Sequence, residues 1–432
     1  MHQVIFSDTT KGIESAVAEI FNHAGGAGAL LKSSRDVFLK PNAVDMKKNT
    51  YTNPEVLRAV IRQFQQAGAK NIYVVENCTQ GNITRLVFEA TGMTRVCRET
   101  GALPVYLDET GAVPVYLEGL QSFIDISAFI HERLIQQKAA NLYVSLPKLK
   151  THSMSQVTFS IKNQFGLVHH HSRVADHNFR LHQKFADIYR LLRPDFVVID
   201  GLIATNHGHY TAEKFENECI IDMNCLIGGS DPLAVDIVAA AFLGYKINDV
   251  LHIRLSADTG ISTAADPNNI EIRNRELFEI RRRNLTHHLL EKLPADLKIL
   301  RGRDRCCMEG CRGNTEAVAE ILYNDHKGRG DFTILMGKGI DPAEVDRIEK
   351  PPVHLAGSCA IQAHANEMRR RFGKKNVTFS HGCNNLSATV YALCRHMRVN
   401  PISLANMNPV KSLALLARAR LNHSKALIPP LL

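Results

Sequence analysis

From Leu297 to Met397 the chain repeats one pattern four times, and few folds can accommodate it. The short apolar runs LKILRG, DFTILMG, VHLAG and NVTFS are each followed by a segment with helical spacing: NTEAVAEILYND, DPAEVDRIE, AIQAHANEMRRRFG and LSATVYALCRHM. Runs of this length bounded by Gly and polar turns read as buried strands, and apolar residues at a 3.6-residue period read as helices. Parallel strands need a crossover, usually a helix, between them. Four consecutive β–α units therefore predict a small doubly wound, Rossmann-like domain with a parallel sheet.

The 432 residues are too many for one ordinary core, so a second, larger domain is expected upstream. There the same alternation is looser. DVFLKPN precedes the helical NPEVLRAVIRQFQQAG, NIYVVEN follows, and another helix begins near Thr84. LPVYLDE, NLYVSLP and DFVVIDG are further strand candidates. SDPLAVDIVAAAFLG reads as a buried helix with Asp231 as N-cap and Pro232 at the first helical position. The charged segment IRNRELFEIRRRNLTHHLLEKLP reads as a helical connector. The expected fold class is thus α/β: a mainly parallel sheet in residues 1–290 and a Rossmann-like domain in residues 291–432.

In an open α/β sheet, ligands bind beyond the carboxyl ends of the strands. Five cysteines sort by that rule: Cys306, Cys307 and Cys311 fall in the first β-to-α turn, Cys359 in the third and Cys383 in the fourth. Each lies near a predicted helix N-terminus, where the dipole favours a thiolate. Gly310, Gly357 and Gly382 beside them let the backbone approach whatever is bound. Paired CxxC knuckles, the usual mark of structural zinc, are missing, and soft thiolates from separated turns suit an iron–sulfur cluster. The expected cofactor is a 4Fe–4S cluster on Cys306 or Cys307, Cys311, Cys359 and Cys383, with a four-thiolate zinc site as the alternative. A three-thiolate cluster would leave one iron open as a Lewis acid. The other five cysteines, Cys78, Cys97, Cys219, Cys225 and Cys394, are expected to be packing residues.

A second set of chemically active side chains lies upstream. NLYVSLPKLKTHSMSQVTFSIKNQFGLVHHH carries Lys148, Lys150, His152, Lys162, Asn163 and His169 to His171, and FLKPN carries Lys40 and Asn42. Lysines converging at strand ends would hold a carboxylate or phosphate as point charges, and a histidine among them could move protons near neutral pH. Against this, Lys148 and Lys150 alternate as they would on a solvated strand edge. Three consecutive histidines also cannot face one way on either regular element. In IDGLIATNHGHY, Asp200 and His209 are added as substrate-site candidates.

These blocks, FLKPN, NPEVLRAVIRQFQQAGAKNIYVVE, SLPKLKTH, SIKNQFG, VVIDG and SDPLAVDIVAAAFLG, together resemble the family catalogued as domain of unknown function 362. The resemblance runs from about Asp36 to Tyr245, with the blocks in the expected order. It implies an association with iron–sulfur cysteines and points to Lys40, Pro41, Asn42, Lys148, Lys150, His152, Lys162, Asn163, Asp200 and Asp231. Two departures stand out. The Gly- and Pro-rich turn expected after VVIDG is LIATNHGHYTAE here, and the ferredoxin-like run of CxxC repeats is absent. The second departure argues against a simple electron carrier.

The expected function is a cytoplasmic iron–sulfur oxidoreductase acting on a small anionic substrate, with an external electron donor such as a ferredoxin. Lys148, His152, Lys162 and His169 are the catalytic candidates; Lys40, Asn42, Lys150, Asn163, Asp200 and His209 are the substrate-binding ones. A non-redox 4Fe–4S lyase or dehydratase, a sulfur-removing enzyme, and a zinc-stabilised or redox-sensing binding protein are the alternatives. The formal charge of +9 suits an anionic ligand. No nucleic-acid motif accompanies it, so no nucleic-acid partner is expected. MHQVIFSDTTKG has no signal-peptide pattern, and the longest apolar run is short and contains Asp236, so no membrane span is expected.

Overall fold

In the computed structural model, residues 1–31, 36–79, 81–175, 177–210, 212–404 and 408–426 are described. Two sheets carry the fold. The larger contains β1 (His2–Asp8), β2 (Asp36–Pro41), β3 (Ile72–Glu76) and β4 (Leu103–Tyr106). After a separate antiparallel hairpin, β5 (Ala112–Leu117) and β6 (Ser122–Ser127), it continues with β7 (Asn141–Leu146), β8 (Lys148–His152) and β9 (Gln156–Thr158). It is completed by β10 (Phe196–Thr205), β11 (Ile220–Gly229) and β12 (Ile270–Arg273). The order is β12-β1-β11-β10-β7-β2-β3-β4, with β8 joined to β10 and β9 to β8. From β10 to β4 the ladder is parallel, whereas β11 runs antiparallel to both its neighbours.

A parallel sheet with helices on both faces buries both sides of its strands, which is why these runs read as nearly continuous apolar stretches. Alternate residues feed two cores: Phe38 and Tyr143 point into one, Val37, Leu39, Leu142 and Val144 into the other. The helix Pro232–Phe242 forms as expected, with the Asp231 side chain accepting from the Ala234 N–H and ten of its residues buried.

The second sheet comprises β13 (Lys298–Arg301), β14 (Thr333–Met336), β15 (Val353–Ala356) and β16 (Val377–Ser380), all parallel and in simple sequence order. Ile334 and Met336 face one core and Leu335 the other, so helices cover both faces. The carboxyl ends stand side by side, because Arg301, Met336, Ala356 and Ser380 are successive register partners.

Two features differ from the sequence reading. The connector is helical only over Arg275–Arg281. Beyond it the backbone bonds to distant partners instead of its own previous turn: Arg283 and Leu285 donate to Phe242 and Leu243, and His207 donates to Thr286. The C-terminal helix Pro409–Leu421 returns to the first domain. There Leu415 and Leu416 pack with Ile83 and Leu86, and Ser424 donates to Asp108 at 2.8 Å.

Candidate active site

Between the two sheets lies a cavity of about 670 Å³. Its polar floor comes from carboxyl-terminal strand positions, where an α/β sheet presents its ligands. Lys40 is the penultimate residue of β2 and Glu76 ends β3, while Lys150 and His152 belong to β8. Lys162 and Asn163 are carried by the single-turn helix Ser160–Asn163. That turn is held from below by Asp236, whose two carboxylate oxygens accept the Ser160 and Ile161 N–H groups at 2.8 Å each. Asp236 is fully buried, and burial pushes its carboxyl up to about 8. Asp236→Asn removes one of the two acceptors, and the orphaned N–H is expected to lower stability by about 1–3 kcal/mol. A urea titration measures it; an unchanged midpoint would mean that the amide reorganises to serve both donors.

The floor is rich in basic side chains, and one buried carboxylate, Glu76, acts on several of them. Lys40 pairs with Glu76, Nζ to Oε1 at 2.7 Å, with both side chains buried. Lys150 is 1% exposed, and its Nζ donates to the Thr50 carbonyl at 2.5 Å. Burial, followed by the charges of Lys162 and Lys148, drives the Lys150 amine well below its ordinary value. Lys162 lies over the Phe185 ring, 5.5 Å from its centroid. Burial, then Arg173 and Lys40, lower it to about 7, within the range useful for proton transfer at neutral pH. Arg173 donates to the Asn77 and Cys78 carbonyls at 2.5 and 2.8 Å. His152 and His209 stack with centroids 3.5 Å apart and planes 6° from parallel. Burial holds both imidazoles well below the usual value, so they are neutral at pH 7. His177 is half-buried, and desolvation followed by the Arg173 charge lowers it to about 3.

The cysteine turns abut this cavity. Gly313 and Asn314, just after Cys311, line it. A Cβ on Gly313 would meet the Met154 Cγ at 2.4 Å, so the helix start presses on the segment that follows His152. His177 lines the cavity too, while the next residue, Asn178, donates to the Cys383 and Asn384 carbonyls at 2.9 and 3.2 Å. Cys359 and Cys383 are exposed, Cys306 and Cys307 half-buried and Cys311 buried. The Cys311 thiol donates to the Ala356 carbonyl at 3.4 Å, and the Cys307 sulfur accepts from Arg305 Nε at 2.9 Å. Gly357 has φ +86, and a Cβ there would lie 2.7 Å from the Cys311 sulfur, so this approach admits only glycine.

The helix dipoles do not make thiolates of the deeper cysteines. Burial and the neighbouring sulfurs push Cys311 up to about 12, and burial with Glu316 pushes Cys306 to about 11. Among the described residues no three His, Cys, Asp or Glu side chains converge on a single ion position. One ion draws thiolates to ~2.3 Å from itself.

The cavity thus collects Lys40, Asn42, Lys150, His152, Lys162, Asn163 and His209 from the expected set. It leaves three outside its lining. Lys148 and Asp200 are buried against each other, Nζ to Oδ2 at 3.0 Å, with Asp200 also accepting from the Asn53 and Leu202 N–H groups. His169 Nε2 lies 3.2 Å from the Thr110 carbonyl. Glu76, Asn77, Arg173 and His177 line the site without having been expected there. Glu76 stands at a strand's carboxyl end, the same signal that marked Lys40. Arg173 belongs to the short helix His170–Ala175 and His177 lies just beyond it, neither at a strand end. The five cysteines assigned to packing are all buried.

The family model described as a domain of unknown function (DUF362) matches residues 37–241, in agreement with the resemblance carried by the sequence blocks. Among curated proteins, the thylakoid-associated protein sll1697 of Synechocystis sp. is 29% identical over 191 residues, covering 42% of this chain and 56% of that protein. The chain therefore spans just over half the length of this relative. No helix among the described residues is long and apolar enough to cross a membrane.

Proposed function

We propose that this chain is an iron–sulfur oxidoreductase whose cavity binds an anionic substrate, a carboxylate or a phosphate. The observation that carries the reading is adjacency: Gly313 and Asn314, close after Cys311, and His177, whose neighbour Asn178 donates to the Cys383 carbonyl, line the same cavity as the lysines. Lys40, Lys150 and Arg173 attract and orient the anion in a cleft where charge is poorly screened. Lys162 gives or takes the proton, since its amine is balanced between charged and neutral forms near pH 7. His152 and His209 supply neutral ring nitrogens beside it. Cys311, Cys359 and Cys383, with Cys306 or Cys307, would hold a 4Fe–4S cluster. When bound it supplies or accepts electrons one at a time, exchanged with an external carrier such as a ferredoxin. The cytoplasm is the proposed location.

Protein purified without oxygen is expected to contain about four iron and four sulfide per chain, with visible absorption that fades on reduction. Cys311→Ser, Cys359→Ser and Cys383→Ser should each lose most of that iron, whereas Cys394→Ser keeps it. Comparing Cys306→Ser with Cys307→Ser identifies the remaining ligand. About one zinc per chain and no colour would overturn the redox reading and make the cysteines a structural clip.

A further inference from the structure

The cavity is larger and more apolar than a small anion requires. Beyond the floor the lining carries Asp45, Glu213, His326 and a Lys47–Asp325 ion pair at 3.0 Å, and much of the remainder is apolar. Opposite the lysines its walls are Leu86 from the helix Thr84–Ala90, Val318 and Ile321 from Gly313–His326, Val390 from Leu386–Met397, and Leu416 from Pro409–Leu421. All five are half-buried and line the cavity, so together they give it an apolar side. Four separate helices contribute, and the C-terminal helix crosses back to the first domain to close that side. The floor meanwhile holds unmet polar demand: Asn42 Oδ1, Asn77 Oδ1 and His209 Nδ1 are buried without a hydrogen-bond partner. A buried polar atom left unmatched costs roughly 1–3 kcal/mol; the two amide oxygens call for a donor, such as a phosphate or ligand hydroxyl, while the anionic oxygens of the head go to the lysines.

We infer that the ligand is an amphiphile: a carboxylate or phosphate head on the lysine floor, with a single hydrocarbon chain lying in the slot between these helices. Pockets of ~300–1,000 Å³ enclose molecules of that size, and burying methylenes against Leu, Val and Ile supplies affinity that the head alone lacks. The inference rests on the anion-binding floor proposed above and adds the class of molecule.

Calorimetric titration of the full chain with acetate, butanoate, octanoate and decanoate, below their micelle-forming concentrations, tests it. Affinity should rise by up to about fourfold for each methylene that enters the slot. Val318→Asp and Val390→Asp should flatten that dependence while leaving inorganic phosphate binding unchanged. Lys162→Met should weaken every member alike. If phosphate and short carboxylates bind but chain length has no effect, the amphiphile is overturned and the anion floor stands. If no anion binds at any length, both fail. If the aspartate variants keep the chain-length dependence, the tail lies elsewhere and the slot assignment is overturned.

Discussion

Lys162→Met is expected to raise the melting temperature of the protein while weakening its binding of inorganic phosphate at pH 6.5 by tenfold or more. Both effects have one cause. The Lys162 amine is set against Phe185 with Arg173 and Lys40 as charged neighbours, and no carboxylate outweighs them. Its pKa falls from 10.5 in the unfolded chain to about 7 in the folded one. Between those values the unfolded state binds the extra proton, so this residue makes stability increase with pH from about 7 towards 10.5. Below about 7 the penalty is present in full. Methionine fills similar space without charge, so the variant's advantage is greatest below about pH 7 and fades as pH nears 10.5. A gain of ~2 °C or more at pH 6 is the expected size. The loss of binding follows because a hydrogen bond to a charged group contributes ~1.5–3 kcal/mol. Calorimetric melts from pH 6 to 10 alongside phosphate titrations measure both. A lower melting temperature at pH 6 would show that Lys162 is satisfied by partners inside the fold and is not poised for a ligand.

Glu76→Ala should be the most damaging substitution in the floor, at about 3–5 kcal/mol of stability. Lys40 is 0% exposed and Glu76 2%, and the carboxylate also accepts the Ala43 and Asn77 N–H groups at 2.8 Å each. Removing it strands a charge and two backbone donors away from water. A buried pair is strongly destabilised by losing one member but much less by losing both. The double variant Lys40→Met, Glu76→Gln should therefore recover more than half of the loss, because glutamine keeps one acceptor and no charge remains. Urea unfolding of Lys40→Met, Glu76→Gln and the double variant gives the coupling energy. Strictly additive losses would mean that the pair is not coupled, and that Glu76 acts through the backbone alone.

These predictions concern residues that the sequence marked unequally. Lys40 stood out because FLKPN ends a strand candidate, and Lys162 because it lies ten residues beyond the Lys148, Lys150 and His152 that follow another. Glu76 ends NIYVVE in the same way, yet a single acidic residue after an apolar run is common enough to escape notice. Lys148 and Lys150 looked equivalent, two residues apart. The fold separates them: Lys148 meets Asp200, 52 positions away, while Lys150 finds only a backbone carbonyl and the cavity. Likewise, nothing local distinguishes the connector after Arg281 from a continuing helix, since its backbone partners lie near Phe242 and Asn206.

What the sequence determined by itself is the material of short range. The alternation of strand and helix, the Asp231 cap, the cysteines in three turns of one sheet and the lysines at strand ends all follow from spacing within a few residues. The tertiary structure decided what depends on distant partners. It set the antiparallel β11, the return of the C-terminal helix, the ion pair that withdraws Lys148, and the wall where cysteine turns and lysine floor meet. The reason is physical. Dihedral preference and side-chain periodicity act between neighbours along the chain, whereas the charge state and reach of a buried amine depend on whichever groups the packing of remote elements brings beside it.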